Sequence, residues 1–193
     1  MFEKLVQVVI LFFVIFDPLA SFVVFFVATK DKTPAKRTSI ALMSVGVAAL
    51  ISFAFLFFGS RLLELFNTDI QSFKVAGGII LGILGVKMAL GQSLADLSDA
   101  EGDSDRAIAA VIATPLLTGP AAISAIIIAS SEYGAITTGT AVTVVLVFTA
   151  ILFYQAARIN KMVGQTAIQV LSTILGLITL AWGVQFVRDG LGF

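Results

Sequence analysis

Long stretches without a charged side chain divide this sequence, and their lengths limit what the chain can fold into. Four of them run for 23 to 26 residues. They are Thr38 to Ser60, Ala107 to Ser131, Tyr133 to Ala157 and Met162 to Val187. Because a helix needs about 20 apolar residues to cross the hydrocarbon of a bilayer, each stretch is long enough to span a membrane.

Two further segments complete the predicted set of spans. Leu5 to Phe16 and Pro18 to Thr29 are 12 uncharged residues each on either side of Asp17, and residues 70–91 form another apolar segment. The apolar runs are continuous and do not alternate every second residue, which favours helices over the strands of a barrel. We therefore predict an all-α polytopic membrane protein with six transmembrane helices in a single transmembrane domain, residues 1–193.

The composition excludes several classes of function. Lys and Arg number 12 and so do Asp and Glu, which leaves no cationic face for nucleic acid. The chain has no Cys and no His, so thiol chemistry, imidazole bases and most zinc or haem sites are excluded. We expect a protein that is not an enzyme and has no cofactor other than a bound sodium ion at most.

The sequence also contains an internal repeat. Phe16-Asp17-Pro18 at the centre of predicted helix 1 corresponds to Thr118-Gly119-Pro120 at the centre of helix 4, and helices 3 and 6 share Ile-Leu-Gly and Gly-Val pairs. Because three helices is an odd number, the second copy enters the membrane upside down, as in many secondary transporters. The predicted inverted repeats cover about 1–91 and 107–193, joined by an acidic loop over about 92–106.

Each repeat has a predicted helix break at mid-membrane. Asp17 lies between two 12-residue halves, Gly119 is the middle residue of a 25-residue stretch, and a Pro follows each. Proline removes a backbone donor inside a helix, whereas Asp-Pro and Gly-Pro are suitable as a cap and a first helical residue. Helices 1 and 4 are therefore predicted to be discontinuous, with half-helix N-termini that can bind a carboxylate.

A candidate site follows from these breaks. A carboxylate at the bilayer centre is costly and by default marks a functional site, so Asp17 is the candidate for a sodium or proton site. The candidate substrate-binding residues are Asp17, Pro18, Ala20, Ser21, Thr114, Thr118, Gly119, Pro120 and Ala121. The alternative is that the prolines only kink the helices, that Asp17 is a protonated cap, and that the two threonines satisfy local backbone groups.

The chain resembles the MarC family of integral membrane proteins, which includes the small neutral amino acid transporters called SnatA. The resemblance covers essentially the whole chain and rests on Phe-Asp-Pro at 16–18 and Thr-Pro-Leu-Leu-Thr-Gly-Pro-Ala-Ala-Ile at 114–123. Where the family pattern has Gly, this chain has Ala20 and Ala121. The resemblance implies sodium- or proton-coupled movement of glycine, alanine or similar amino acids across the cell membrane of a prokaryote.

Several functions remain open from the sequence. The first is a secondary transporter whose substrate carboxylate lies against the half-helix N-termini; the alternatives are an ion or small-solute channel, an exporter of another small metabolite, or a structural membrane subunit. The expected partners are a small amino acid and the lipid bilayer. The small residues Gly78 and Gly82 allow close contact between helices, and packing within the bundle is the favoured explanation. If they form a subunit interface instead, a second copy of the chain is a further partner.

Lysine and arginine set the predicted orientation. Eight of them, including Lys32, Arg37, Arg158 and Lys161, lie on one side of the six predicted helices, and four lie on the other. The positive-inside rule then places the eight in the cytoplasm and both termini outside.

This orientation can be tested by labelling. Because the natural chain has no Cys, single cysteines introduced beside Lys32 and after Phe193 are the only thiols in each variant. We expect a membrane-impermeant maleimide to label the C-terminal site in intact cells and the Lys32 site only after permeabilisation. Labelling of both positions from the same side would show that the six-helix count is wrong.

Overall fold

The computed structural model describes residues 2–29, 31–91 and 105–192, and the secondary structure in these ranges is helical. The helices are α1 (Phe2–Phe16), α2 (Pro18–Thr29), α3 (Pro34–Leu65), α4 (Ile70–Ala89), α5 (Asp105–Val111), α6 (Pro120–Tyr133), α7 (Ala135–Tyr154) and α8 (Ala156–Leu191). Between α5 and α6 the segment Ile112–Leu117 is kinked, with non-helical backbone at Thr114. The predicted all-α fold is confirmed, while most of the predicted acidic loop lies outside the described residues.

Four helical stretches are long and apolar enough to cross a membrane. They are α3, α4, α7 and residues Thr173–Leu191 of α8, and the bent pair of α1 and α2 makes a fifth if it counts as one span. The predicted fourth helix is divided into α5, the 112–117 segment and α6, which are 7, 6 and 14 residues long. Six spans therefore remain a prediction, which requires these three pieces to cross together.

The prediction that Arg158 and Lys161 lie in a connection between two helices is wrong. Gln155 alone separates α7 from α8, and both basic residues lie inside α8, which is 36 residues long. Arg and Lys are good helix formers, and no Pro or Gly interrupts residues 156–163, so the charges do not end the helix. At 1.5 Å per residue α8 is about 54 Å long, well beyond the ~30 Å of bilayer hydrocarbon.

A seam of glycines joins α4 to α8. A Cβ added to Gly183 would lie 2.6 Å from the backbone N of Gly82 and 2.7 Å from the carbonyl O of Gly78, and one added to Gly85 would lie 2.8 Å from the carbonyl O of Gly176. The two backbones therefore touch directly, in antiparallel directions. Close approach through small residues is how membrane helices gain dispersion contact without a hydrophobic driving force. Gly78 thus packs within the bundle.

The contacts between helices are reciprocal between the two predicted repeats. Gly78 of α4 contacts Gly183 of α8, and Gly85 of α4 contacts Gly176 of α8. With an offset of 98 residues between the repeats, Gly78 corresponds to Gly176 and Gly85 corresponds to Gly183. Exchanging the two repeats therefore converts each contact into the other. In the predicted repeat, α2, α3 and α4 correspond to α6, α7 and α8. The contact of α2 with α8 therefore corresponds to that of α6 with α4, and the contact of α2 with α7 corresponds to that of α6 with α3. A twofold axis in the membrane plane would produce this exchange, so the packing favours the predicted inverted repeat.

Ion pairs join groups that the predicted topology places on the same side of the membrane. Lys74 at the start of α4 pairs with Glu132 at the end of α6. At the other side of the bundle Lys32 Nζ lies 3.9 Å from Asp105 Oδ1, between the α2–α3 connection and the start of α5. Both pairs link elements far apart in sequence, which is what the predicted membrane crossings require.

The glycine seam makes a matched pair of substitutions informative. We expect Gly183→Ala to lower the thermal midpoint, because its Cβ meets rigid backbone in α4, at a cost of about 1–3 kcal/mol typical of overpacking. Gly46→Ala in α3 is the control, since its Cβ would meet nothing within 4 Å. This control should leave the midpoint unchanged or raise it, because Ala is the better helix former. Circular dichroism of the detergent-solubilised variants measures both thermal midpoints. Equal changes in the two variants would contradict direct backbone contact at Gly183.

Candidate functional site

The first break lies at Asp17, between α1 and α2. Its φ is +37°, in the left-handed region that side chains other than Gly rarely adopt, although Asp and Asn tolerate it best. Pro18 is the first residue of α2, where its missing N–H removes no helical hydrogen bond. The backbone thus turns at one residue, and the helix resumes when the N–H of Ser21 donates to the Asp17 carbonyl at 3.1 Å.

The two carboxylate oxygens of Asp17 have different environments. Oδ1 accepts a hydrogen bond of 3.1 Å from the N–H of Ala20, which is an N-cap interaction three residues into the helix. Oδ2 is buried and has no hydrogen-bond partner among the described residues. The residue is only 2% exposed, so bulk solvent does not reach this oxygen. A buried polar oxygen of this kind requires a proton, a cation or a ligand donor.

The second break extends from Thr114 to Gly119. Thr114 has extended backbone angles (φ −142°, ψ 116°), and α6 begins at Pro120 after Gly119 (φ −70°, ψ 176°). The side chain of Thr118 donates to the Ala113 carbonyl at 2.7 Å, and its N–H donates to the same oxygen at 3.0 Å. For Thr118 the alternative of local backbone satisfaction therefore holds, and its hydroxyl oxygen can only accept from a ligand.

The two breaks meet inside the bundle. The half-helix before Asp17 (α1) contacts the half-helix after Gly119 (α6), and α2 contacts the 112–117 segment. This crossed pairing is the one expected if the two broken chains run in opposite directions. Phe16, Leu117 and Ala121 belong to one cluster of buried side chains. The described residues therefore show a helix break at each of the two predicted places, while close contact between the N-termini of α2 and α6 stays a prediction.

Burial separates the predicted site residues into two groups. The buried or partly buried group surrounds the breaks and contains Asp17, Pro18, Ala20, Ser21, Thr118, Gly119 and Ala121. Thr114 and Pro120 are exposed, so they lie at the edge of the arrangement. The Ser21 hydroxyl donates to the Phe16 carbonyl at 3.4 Å and thereby partners an oxygen freed at the end of α1.

A cavity that the sequence did not predict lies between α1, α6 and α8. Its volume is about 360 Å³, and it is lined by Gln7, Leu11, Glu132, Trp182 and Asp189 among others. Leu11 is six residues before Asp17, which is about 9 Å along a helix, so the cavity ends close to the breaks. No sequence signal identifies it, because its walls come from opposite ends of the chain. Among the described residues no group of three or more acidic side chains could hold a metal ion.

Comparison with known proteins gives a consistent family assignment. A family model described as MarC family integral membrane protein matches residues 2–192. The chain is 31% identical to a UPF0056 membrane protein of Buchnera aphidicola subsp. Baizongia pistaciae, over 93% of this chain and 88% of that protein. It is 30% identical to UPF0056 membrane protein YhcE of Escherichia coli (93% and 87% covered) and to UPF0056 membrane protein MJ1677 of Methanocaldococcus jannaschii (93% and 91%). No solved structure matches the chain.

The local role of Asp17 can be measured as stability. Asp17→Ala loses the cap, worth about 0.5–2 kcal/mol, and places Ala in a left-handed conformation that costs about 1–2 kcal/mol more. Asp17→Asn keeps the cap and tolerates that conformation, so we expect the thermal midpoint to fall clearly for Ala and little for Asn.

Asp69 provides the matched control for this comparison. It caps α4 by accepting from the N–H of Ser72 at 2.6 Å, but its φ is −83°. Asp69→Ala should therefore cost less than Asp17→Ala. Equal losses in the two Ala variants would indicate that the left-handed geometry at Asp17 carries no strain.

Proposed function

The chain belongs to the MarC family of integral membrane proteins, and on that premise we propose that it is a secondary transporter of small neutral amino acids such as glycine and alanine. Transport is driven by sodium ions or protons, in a cell membrane with both termini outside. The substrate binds at mid-membrane, where the breaks at Asp17 and Gly119 meet.

The unpartnered oxygen of Asp17 is the observation that carries this proposal. A carboxylate that is 2% exposed and has one oxygen without a partner among the described residues is costly in a membrane interior. A protein that only needed a cap at this position could use Asn or Ser, which cap without charge. A cation, a proton or the ammonium group of an amino acid satisfies Oδ2 and offsets that cost.

The second break supplies the complementary group. Gly119 stands at the N-cap position of α6 and has no side chain with which to cap it, in contrast to Asp17 at the start of α2. The first-turn N–H groups of α6, at Ala121 and Ala122, carry partial positive charge and suit a carboxylate. A zwitterion therefore fits with its carboxylate at α6 and its ammonium group towards Asp17.

The side chains at the breaks favour a small substrate. Ala20, Ser21, Ala121 and Ala122 follow the two prolines and leave backbone within reach of a ligand. Phe16 and Leu117 are fully buried beside them, so bulky walls close the region. A side chain of one or no carbon atoms is the class that such a site would accept.

Occlusion of the breaks supports a carrier over a channel. Phe16, Leu117 and Thr118 are all 0% exposed, so the centre of the break region is closed in this conformation, although Thr114 and Pro120 at its edge are exposed. A carrier must pass through a state in which its central site is closed, whereas an open channel keeps a continuous water path. The cavity between α1, α6 and α8 then serves as the vestibule on the side of the termini.

Reconstituted transport tests the proposal. We expect proteoliposomes to accumulate labelled glycine or alanine under an inward sodium or proton gradient, to saturate, and to exchange internal for external substrate. Large unitary currents without saturable exchange would identify a channel instead. Failure of every small neutral amino acid, with another small metabolite transported, would identify the alternative exporter.

Asp17→Asn tests the coupling role within the same assay. It keeps the cap but cannot ionise, so we expect it to abolish accumulation above the equilibrium level while the protein still inserts and purifies normally. Asp69→Asn, the same change at an exposed cap outside the site, should transport like the parent. Parent-like accumulation by Asp17→Asn across pH and sodium concentration would restrict Asp17 to capping, and Asp17→Ala would then be the damaging change.

A further inference from the structure

A second cavity lies at the opposite side of the bundle from the termini. Its volume is about 310 Å³, and it opens where α3 begins and where α7 passes into α8. Its polar lining consists of Arg37, Thr38, Tyr154, Gln155 and Arg158. None of the breaks contributes to it, so it is separate from the proposed transport site.

The charge of this cavity has one sign. Two guanidinium groups, two hydroxyls and an amide line it, and no carboxylate is among the lining residues that the structure describes. Pro34, the first residue of α3, also lines it, so α3 adds the positive end of its dipole. At Gln155 the C-terminal end of α7 adjoins the N-terminal end of α8, and the two ends offset each other. Such a set of donors matches the oxygens of a phosphate group, which arginine binds in bidentate geometry.

The two arginines differ in how they are held. Arg37 Nε donates to the Thr29 carbonyl at 2.8 Å, at the end of α2, which fixes the orientation of its guanidinium group. The Arg158 side chain is exposed and, within the described part of the chain, enters no ion pair. One arginine is therefore prepositioned and the other is available to close on a ligand.

The position of the cavity indicates where its ligand comes from. The candidate membrane span α7 ends at Tyr154, whose ring is 71% exposed at the rim, while the neighbouring Phe153 is buried. Tyrosine at the end of a span is typical of the headgroup region of a bilayer. The cavity therefore opens at headgroup depth, on the side that carries the excess of Lys and Arg, where the leaflet is anionic.

We propose that this cavity binds the phosphate headgroup of an acidic phospholipid from that leaflet. Arg37 and Arg158 hold the phosphate oxygens, the N-terminus of α3 adds to the attraction, and the acyl chains extend along the apolar surface of α7. Basic pockets between membrane helices are known to bind anionic headgroups in this manner. The inference does not depend on which solute the protein transports.

Lipid binding to the full-length protein in detergent tests the proposal. We expect native mass spectrometry to show retained phosphatidylglycerol in preference to phosphatidylcholine with the same acyl chains, and phosphatidylglycerol to raise the thermal midpoint more. Arg158→Gln should weaken phosphatidylglycerol binding about fivefold, and adding Arg37→Gln should weaken it by a similar factor again. Lys36→Gln is the control, because Lys36 is exposed in the same turn of α3 but does not line the cavity.

Three results would overturn this assignment. Equal retention of the two lipids by the parent protein would remove the need for an anionic headgroup. An equal loss in Lys36→Gln and Arg158→Gln would indicate general surface charge and no defined pocket. Binding of inorganic phosphate that Arg158→Gln weakens, without any retained phosphatidylglycerol, would show that the ligand is a soluble phosphate and not a lipid. Since Arg37 also holds the end of α2, Arg158→Gln alone decides the matter if the double variant does not fold.

Discussion

Backbone groups that leave a helix inside a membrane must find partners within the protein, and this requirement shapes the centre of the molecule. Lipid offers no hydrogen bonds, so two interrupted helices can exist at this depth only if other elements surround them. At the breaks the half-helices pack on one another, α1 on α6 and α2 on the 112–117 segment. Side chains also partner nearby backbone groups: Asp17 caps α2, the Thr118 hydroxyl donates to the Ala113 carbonyl, and the Ser21 hydroxyl donates to the Phe16 carbonyl. The remaining helices enclose this pair.

Direct backbone contact between α4 and α8 completes the enclosure. Their glycines allow a spacing that no other residue would permit, and the same contact occurs twice, at Gly78 with Gly183 and at Gly85 with Gly176. These two contacts hold α4 and α8 together, and the two helices pack on α6 and α2 of the broken pairs. The long helix α8 then continues beyond the seam to the basic cavity beside α7.

The two breaks differ in how the half-helix that follows each of them is capped. At equivalent positions one break has a carboxylate and the other has Gly119, so one half-helix start is capped and the other is open. If both helix starts were capped by side chains, a ligand would find fewer backbone N–H groups without a partner. Here Asp17 presents a carboxylate oxygen, and the uncapped start of α6 presents backbone N–H groups. The same asymmetry explains why a zwitterion fits the proposed function better than a simple anion or cation.

The sequence predicted the local features of this fold, because they depend on neighbouring residues. Apolar run length predicted the helical segments, and Asp17-Pro18 and Gly119-Pro120 predicted where α2 and α6 begin, since proline is disfavoured inside a helix and suited to its first residue. The helix ends were less well predicted. Arg158 and Lys161 were assigned to a connection, yet charge by itself does not stop a helix, and α8 begins before them.

The tertiary structure decided what depends on contacts between distant residues. It determined that Gly78 faces Gly183, that among the described residues Oδ1 of Asp17 has a hydrogen-bond partner and Oδ2 has none, and that Thr114 is exposed while Thr118 is buried. It also created both cavities from segments that are far apart in the sequence. The physical reason is that a helix pattern specifies which residues are apolar but not which neighbour each one meets, and in a membrane both lipid and protein accept the same apolar face.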